Sequence, residues 1–332
     1  MEYTQLGRTG LKVSRLVLGT MNFGPQTDEA DSHSIMDAAL DAGVNFFDTA
    51  NAYGWGNNKG RTEEIIGNWF AKGGDRRDKT VLATKVYANM APDGASPWPN
   101  HDRLSALNIR RAAEASLRRL QTDHIDLYQF HHVDRHTPWE EIWQALDVLV
   151  QQGKVLYAGS SNFAGWHIAQ ANETAARLGS YGLVSEQCLY NLAERRAEME
   201  VVPAAQSYGL GVIPWSPLHG GLLGGALRKS REGGKGRSAS GRAADALAHT
   251  QVREQIEAYE ALADKHGLDP GEIALAWLLT RPGVTGPIVG PRTSAQLDSA
   301  LRAVDLTLPE ELLTTLETLF PGPGPSPEAF AW

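Results

Sequence analysis

Ile125-Asp-Leu-Tyr-Gln-Phe-His131 is a short β-rich run that begins apolar and ends on a histidine. The segments on either side of it, 103–119 and 139–152, space their apolar residues three or four apart, as a helix packed on one face does. Beyond the second segment comes another β-rich run, Val155-Leu-Tyr-Ala-Gly-Ser-Ser161, which completes a strand–helix–strand unit. The same alternation continues outward. Arg15–Thr20, Val44–Asp48 and Thr80–Lys85 lie upstream, and Leu183–Gln187, Leu210–Trp215 and Pro287–Gly290 lie downstream. Helical periodicity also marks 29–42, 62–72 and 195–208. Eight strands alternating with helices predict an α/β chain closed into a parallel (β/α)8, or TIM, barrel. A doubly wound sheet is the alternative. It usually has fewer strands, and its dinucleotide-binding form opens with G-x-G-x-x-G, which this chain lacks.

The strand exits sharpen the choice. Thr20, Asp48, Lys85, His131, Ser161-Asn162, Gln187 and Trp215 stand where the runs end. Lys, His and Trp are not turn formers, whereas a barrel builds its chemistry from the C-terminal ends of its strands. One pocket lined from several strands is the expectation.

Of the 332 residues, 42% are hydrophobic and 21% charged, enough apolar material for a large core. Lys and Arg number 31 against 39 Asp and Glu, a net charge of −8, which disfavours duplex nucleic acid and anionic membrane as partners. The single cysteine, Cys188, can form neither an internal disulfide nor a Cys-rich zinc site. No apolar run reaches the ~18 residues of a membrane span, and the N-terminal residues do not read as a secretory signal, so a cytoplasmic address is expected. No linker is evident, and one domain over 1–332 is expected. Self-association stays open.

Three stretches stand apart. Residues 2–13 read as a β-hairpin turning at Arg8-Thr-Gly10 and plugging the barrel bottom. Residues 219–242 form a long Gly-, Ser- and Arg/Lys-rich connection after the seventh strand, too long for an ordinary loop. Its Arg228, Lys229, Arg231, Lys235, Arg237 and Arg242 face one acid, Glu232, which suggests attraction of a small polyanion, with a solvated loop as the plainer reading. The tail Pro321-Gly-Pro-Gly-Pro-Ser-Pro can be neither helix nor strand, yet it leads to Phe330 and Trp332.

Five motifs together resemble the aldo-keto reductase superfamily: Gly43-Val-Asn-Phe-Phe-Asp-Thr-Ala-Asn-Ala-Tyr-Gly54, Ala83-Thr-Lys85, Asp126–His131, Gly159-Ser-Ser-Asn-Phe163 and Ile288-Val-Gly-Pro-Arg-Thr293. Their order and barrel spacing cover about residues 3 to 304. The resemblance implies NADPH-dependent reduction of an aldehyde or ketone, with Tyr53 as proton donor. Lys85 would be the cation that lowers the Tyr53 pKa from a phenol's ~10, Asp48 would hold Lys85, and His131 would orient the carbonyl. Singly these residues read as a core Tyr, a salt-bridged pair and a barrel His; jointly they read as catalysis. Two other readings are a keto-deoxysugar nucleotide reductase and a low-turnover nicotinamide-binding subunit like the channel-associated members of the family.

The resemblance also implies the cofactor site. Ser161, Asn162 and Gln187 would fix the nicotinamide carboxamide and Trp215 would stack on its ring. Ser216, Pro217, Leu218, Gly220 and Leu222 would cradle the pyrophosphate. Gly290, Arg292 and Gln296 would meet the adenosine end, and Thr20, Met21 and Asp48 complete the cofactor set. Ser299-Ala300 stands where the family often has Glu-Asn, which weakens the expected adenine contacts. A substrate pocket is expected from Met21, Phe23, Trp55, Tyr87 and His132, with Trp98, Phe330 and Trp332 as candidate lids. Adjacent residues on a strand point to opposite faces, so His131 inward would leave His132 outward, and no acid or Cys has zinc-like spacing; no metal is expected.

Overall fold

The computed structural model of the chain describes residues 1–231 and 242–326. A hairpin of β1 (Tyr3–Gln5) and β2 (Lys12–Ser14) comes first, paired antiparallel. Its tip presses on the barrel. Arg8 N–H donates to the Gly209 carbonyl at 2.8 Å, and a Cβ on Gly7, whose φ is +54°, would meet the Gly209 oxygen at 2.5 Å. Leu6 and Val13 enter a fully apolar layer with Val17, Phe46, Leu127, Val184 and Ile213. The hairpin therefore seals the bottom of the barrel.

The eight expected runs all form strands: β3 (Val17–Gly19), β4 (Phe46–Asp48), β5 (Val81–Val86), β6 (Ile125–Phe130), β7 (Val155–Ser161), β8 (Leu183–Gln187), β9 (Gly211–Val212) and β10 (Ile288–Val289). They pair in parallel in the order β10-β3-β4-β5-β6-β7-β8-β9. The two ends meet through irregular backbone. Thr285 N–H donates to the Val212 carbonyl at 2.8 Å and Ile288 N–H to that of Pro214 at 2.9 Å. The chain adopts a (β/α)8 barrel.

Around it lie α1 (Glu29–Asp41), α2 (Arg61–Phe70), α3 (Ala106–Leu120), α4 (Trp139–Gln151), α5 (Gly165–Leu178), α6 (Val201–Ser207), α7 (Ala226–Arg231), α8 (Arg242–Leu247), α9 (Thr250–His266), α10 (Pro270–Leu279), α11 (Ser294–Asp305) and α12 (Glu310–Leu319). Several start where a side chain satisfies an orphan N–H: Asp28 caps α1, Ser105 caps α3, Asp269 caps α10 and Thr293 caps α11. None of the described helices is long and apolar enough to cross a membrane.

Two boundaries differ from expectation. The periodic stretch 195–208 is not one helix but a 3-10 turn, Arg196–Glu198, followed by the short α6, with Arg195 held by Glu198 and Glu317. The stretch 219–242 is not wholly loop either. It begins with a 3-10 turn at His219–Gly221 and then forms α7, where good helix formers follow Gly225.

Candidate active site

Inward residues fall in two layers because side chains alternate along each strand. Below, Phe46, Leu127 and Val184 are apolar. Above, at the C-terminal rim, Asp48, Lys85, Gln129 and Gln187 are polar and almost completely buried. Gly159 makes room for this layer: a Cβ there would lie 2.5 Å from Ser185 Oγ and 3.2 Å from Gln129 Cγ.

Lys85 organises the upper layer. Its Nζ donates to Asp48 Oδ2 at 2.6 Å, to the Thr49 carbonyl at 2.9 Å and to Tyr53 Oη at 3.1 Å. The other carboxylate oxygen, Asp48 Oδ1, accepts from Gln129 Nε2 at 2.9 Å and Gln187 Nε2 at 2.8 Å. Tyr53 reaches the cluster because the chain turns sharply after it. Gly54 sits at φ +112°, and a Cβ there would strike the Asn58 carbonyl oxygen at 2.0 Å.

Burial alone would lower the Lys85 pKa, but Asp48 and Tyr53 reverse this and hold it above the ordinary value. For Tyr53, burial raises the phenol pKa, Lys85 pulls it down and Asp48 pushes it up; the net is upward. This corrects the expectation of a lowered Tyr53 pKa: desolvation outweighs the cation, and the proton stays on the phenol. His131 faces Tyr53 edge-on, with ring centroids 6.1 Å apart. Burial, Lys85 and His132 lower its pKa to about 2, so the imidazole is neutral.

His131 and His132 do not point to opposite faces. Their rings stack 5.0 Å apart, 4° from parallel. The reason is that β6 ends at Phe130 and the chain bends through both histidines, so strand alternation no longer applies. Tyr87 then meets His132 edge-on at 5.3 Å, and Trp55 packs on Tyr53 at 5.6 Å. Trp55, Tyr53, His131, His132 and Tyr87 form a continuous aromatic row across the barrel top.

Three residues of the expected nicotinamide set are tied together. Asn162, in a left-handed conformation at φ +61°, donates through Nδ2 to the His131 carbonyl at 3.1 Å and accepts from Trp215 Nε1 at 3.0 Å. Its neighbour Ser161 is buried beside it, accepting from the same Nδ2 at 3.0 Å. Gln187 Nε2 is committed to Asp48 and Gln129, and its Oε1, with no hydrogen bond among the described residues, is an acceptor for a ligand amide. Ser216, also left-handed at φ +54°, accepts at Oγ from Gly220 N–H, which fixes the tight turn 216–220. Leu218 is half-buried, while Pro217 and Leu222 are buried; Leu222 belongs to the core, leaving its backbone for a ligand. Gly290 is exposed and its carbonyl accepts from Asn22. Gln296 Oε1 accepts from Arg292 N–H at 2.8 Å, beside the start of α11. The Arg292 guanidinium has no ion-pair partner among the described residues.

Some expected site residues lie elsewhere. Phe23 is completely buried against Ile35, Met36 and Ile65 in the layer between barrel and helices, so it lines no pocket. Met21 is half-buried. Thr20 is completely buried, and its hydroxyl donates to the Asp48 carbonyl at 2.9 Å, holding the strand end. Trp98 is 76% exposed and covers nothing as a lid. Ser299 bonds Glu272 and Ala300 is buried, so neither offers the adenine contacts of a Glu-Asn pair. Phe330, Trp332, Lys235, Arg237 and the Arg242 side chain lie outside the described residues. Of the remaining loop cations, Arg228 pairs with Asp269 at 2.8 Å and Lys229 bonds the Gly224 carbonyl. Glu257, Glu260 and Asp264 share a cavity with Arg228 and Arg231, so the stretch is less positive than its own sequence suggests.

Two residues of the site escaped the sequence reading. Gln129 was visible as the inward neighbour of His131, two positions back on the same run. Glu186 carried no such signal. It is completely buried on the outer side of β8, accepts from Ser160 Oγ at 2.5 Å and from Phe163 N–H at 3.0 Å, and burial raises its pKa to about 8.

The sequence matches the model of the Aldo/keto reductase family over residues 15–320, and the chain belongs to that family. It is similar to Uncharacterized oxidoreductase YrpG of Bacillus subtilis (strain 168), 55% identical over 334 residues and 100% of both chains. It is also similar to Versiconal hemiacetal acetate reductase of Aspergillus parasiticus, at 34% identity over 96% of each chain. Probable voltage-gated potassium channel subunit beta of Arabidopsis thaliana is 33% identical over 92% of each. The chain is an oxidoreductase of this family, whose members generally use nicotinamide cofactors.

Proposed function

We propose that the chain reduces an aldehyde or ketone to the alcohol, with NADPH as cofactor. The observation that carries this is the buried Lys85 ammonium, 2.6 Å from Asp48 and 3.1 Å from the Tyr53 hydroxyl. The chain's groups suit the cofactor: Gln187 Oε1, Ser161 Oγ and Asn162 match a carboxamide, and Arg292 beside a helix N-terminus matches a phosphate.

When bound, NADPH supplies a hydride to the carbonyl carbon. The rest falls to the chain. Tyr53 Oη gives its proton to the carbonyl oxygen as that oxygen becomes an alkoxide. An alkoxide is a far stronger base than a phenolate, so the transfer runs downhill even from a phenol whose pKa is raised. Lys85 stabilises the phenolate left behind, and Asp48 keeps Lys85 charged. Neutral His131 donates a hydrogen bond to the carbonyl oxygen and orients it. Trp55, Tyr87 and His132 favour aromatic or medium apolar carbonyls.

Tyr53→Phe tests the reading. The variant should bind NADPH with unchanged affinity, followed by the cofactor's fluorescence, while turnover of a benzaldehyde falls by about 10²–10⁴-fold. A Phe variant that keeps most of its turnover, or a wild type that binds NADPH but reduces no member of a carbonyl panel, would overturn it.

A further inference from the structure

We propose that a groove along α3 is a second ligand site, independent of the reduction chemistry, for a small phosphorylated sugar or polyol. The groove has a volume of about 620 Å³, within the range of small-molecule sites, and runs beside α3 to the loop that carries Tyr53.

Its charge is concentrated. Arg110, Arg111, Arg118 and Arg119 all line it, in a chain whose net charge is −8. Arg119 is held by the buried Glu63 at 2.8 Å, and the one lining acid, Glu114, is taken up by Lys154. Arg111 has only a 3.4 Å contact with His101, and Arg110 and Arg118 have no ion pair among the described residues. Guanidinium forks at this density suit a phosphate, which accepts paired charge-assisted hydrogen bonds.

The inner end asks for something else. Asn51 lines the groove, is 2% exposed, and its Oδ1 has no hydrogen-bond partner among the described residues. A carbonyl oxygen needs a donor, which the dianion of a phosphate ester lacks and a sugar hydroxyl provides. Phosphate at the arginines with a hydroxyl toward Asn51 describes a sugar phosphate.

Glucose 6-phosphate titrated calorimetrically into the NADP⁺-saturated protein tests the site, with inorganic phosphate and glucose as separate arms. Glucose 6-phosphate should bind at least about tenfold tighter than inorganic phosphate, and glucose should not bind. Arg111→Ala/Arg118→Ala should weaken glucose 6-phosphate about tenfold or more while NADP⁺ affinity and Tm stay unchanged. Asn51→Ala should erase the advantage of the sugar phosphate over phosphate. Equal binding by the double variant, no saturation by about 10 mM, or an α3 face occupied by a second copy in solution would each overturn the proposal.

Discussion

His131 and His132 stack ring on ring, 5.0 Å apart and 4° from parallel, and the charge of the buried Lys85 ammonium is felt at His131. Protonating either ring would set a second cation against Lys85 or against its neighbour. Both pKa values are lowered, that of His131 to about 2 by burial, Lys85 and His132, and that of His132 by burial alone. The folded chain therefore binds fewer protons at these two rings than the unfolded one between about pH 2 and 6.5, and their contribution to stability falls as pH drops through that window. For His131 at pH 5 this amounts to about 1–2 kcal/mol, after discounting for its open edge. Glu186, whose raised pKa of about 8 stabilises the fold as pH falls, acts in the opposite sense, so the test is a difference: from pH 7 to pH 5 the Tm of His131→Gln should rise relative to that of the wild type. The pH profile of turnover should show no inflection from His131 between pH 5 and 8.

The Lys85–Asp48 pair carries a separate stability prediction. Lys85→Met leaves a buried carboxylate without its cation, and losing one partner of such a pair costs about 3–5 kcal/mol. Denaturation in urea should show that loss together with complete inactivity. Adding Asp48→Asn to Lys85→Met removes the stranded charge, so the double variant should recover most of the stability and none of the activity. A single variant as stable as wild type would mean that Asp48 is not charged in the fold.

Gln129 is the residue whose role depends most on tertiary structure. It gives Nε2 to Asp48 Oδ1 and its Oε1 accepts from Gln187 at 3.1 Å. Gln129→Leu deprives Asp48 of a donor and Gln187 of an acceptor inside a dry barrel. A loss of about 1–3 kcal/mol in unfolding free energy is expected. An unchanged midpoint in denaturant would show that the upper layer relaxes around the gap.

The strands were legible because a parallel barrel buries both faces of each one, leaving compact apolar runs such as Thr80–Lys85. Their polar exits announced Asp48, Lys85 and His131 jointly, since Lys and His are not turn formers and several such exits together mark one pocket. What escaped depends on direction rather than identity. Phe23 follows a strand end just as Asn162 does, but its side chain turns into the layer below α1 and α2. His132 was misread because period two stops where β6 stops, one residue before His131. The charge of 226–231 could not be judged from its own residues, because Glu257, Glu260 and Asp264 arrive from α9, some thirty positions away.

Arg292 carries the last prediction, the choice between the two nicotinamide cofactors. Its backbone N–H is taken by Gln296, while its half-buried guanidinium has no ion pair among the described residues, beside the N-terminus of the twelve-residue α11. A 2′-phosphate there would meet a fork of donors and the positive end of a helix dipole, neither of which NADH can use. Arg228 and Lys229 add little, since both are already engaged. A charge-assisted contact contributes about 1.5–3 kcal/mol, so NADPH should be preferred roughly tenfold to a hundredfold in kcat/KM. Arg292→Ala should bring that ratio close to one by weakening NADPH alone, with the NADH value unchanged. Equal use of both cofactors by the wild type, or a ratio that survives the substitution, would remove Arg292 from the site.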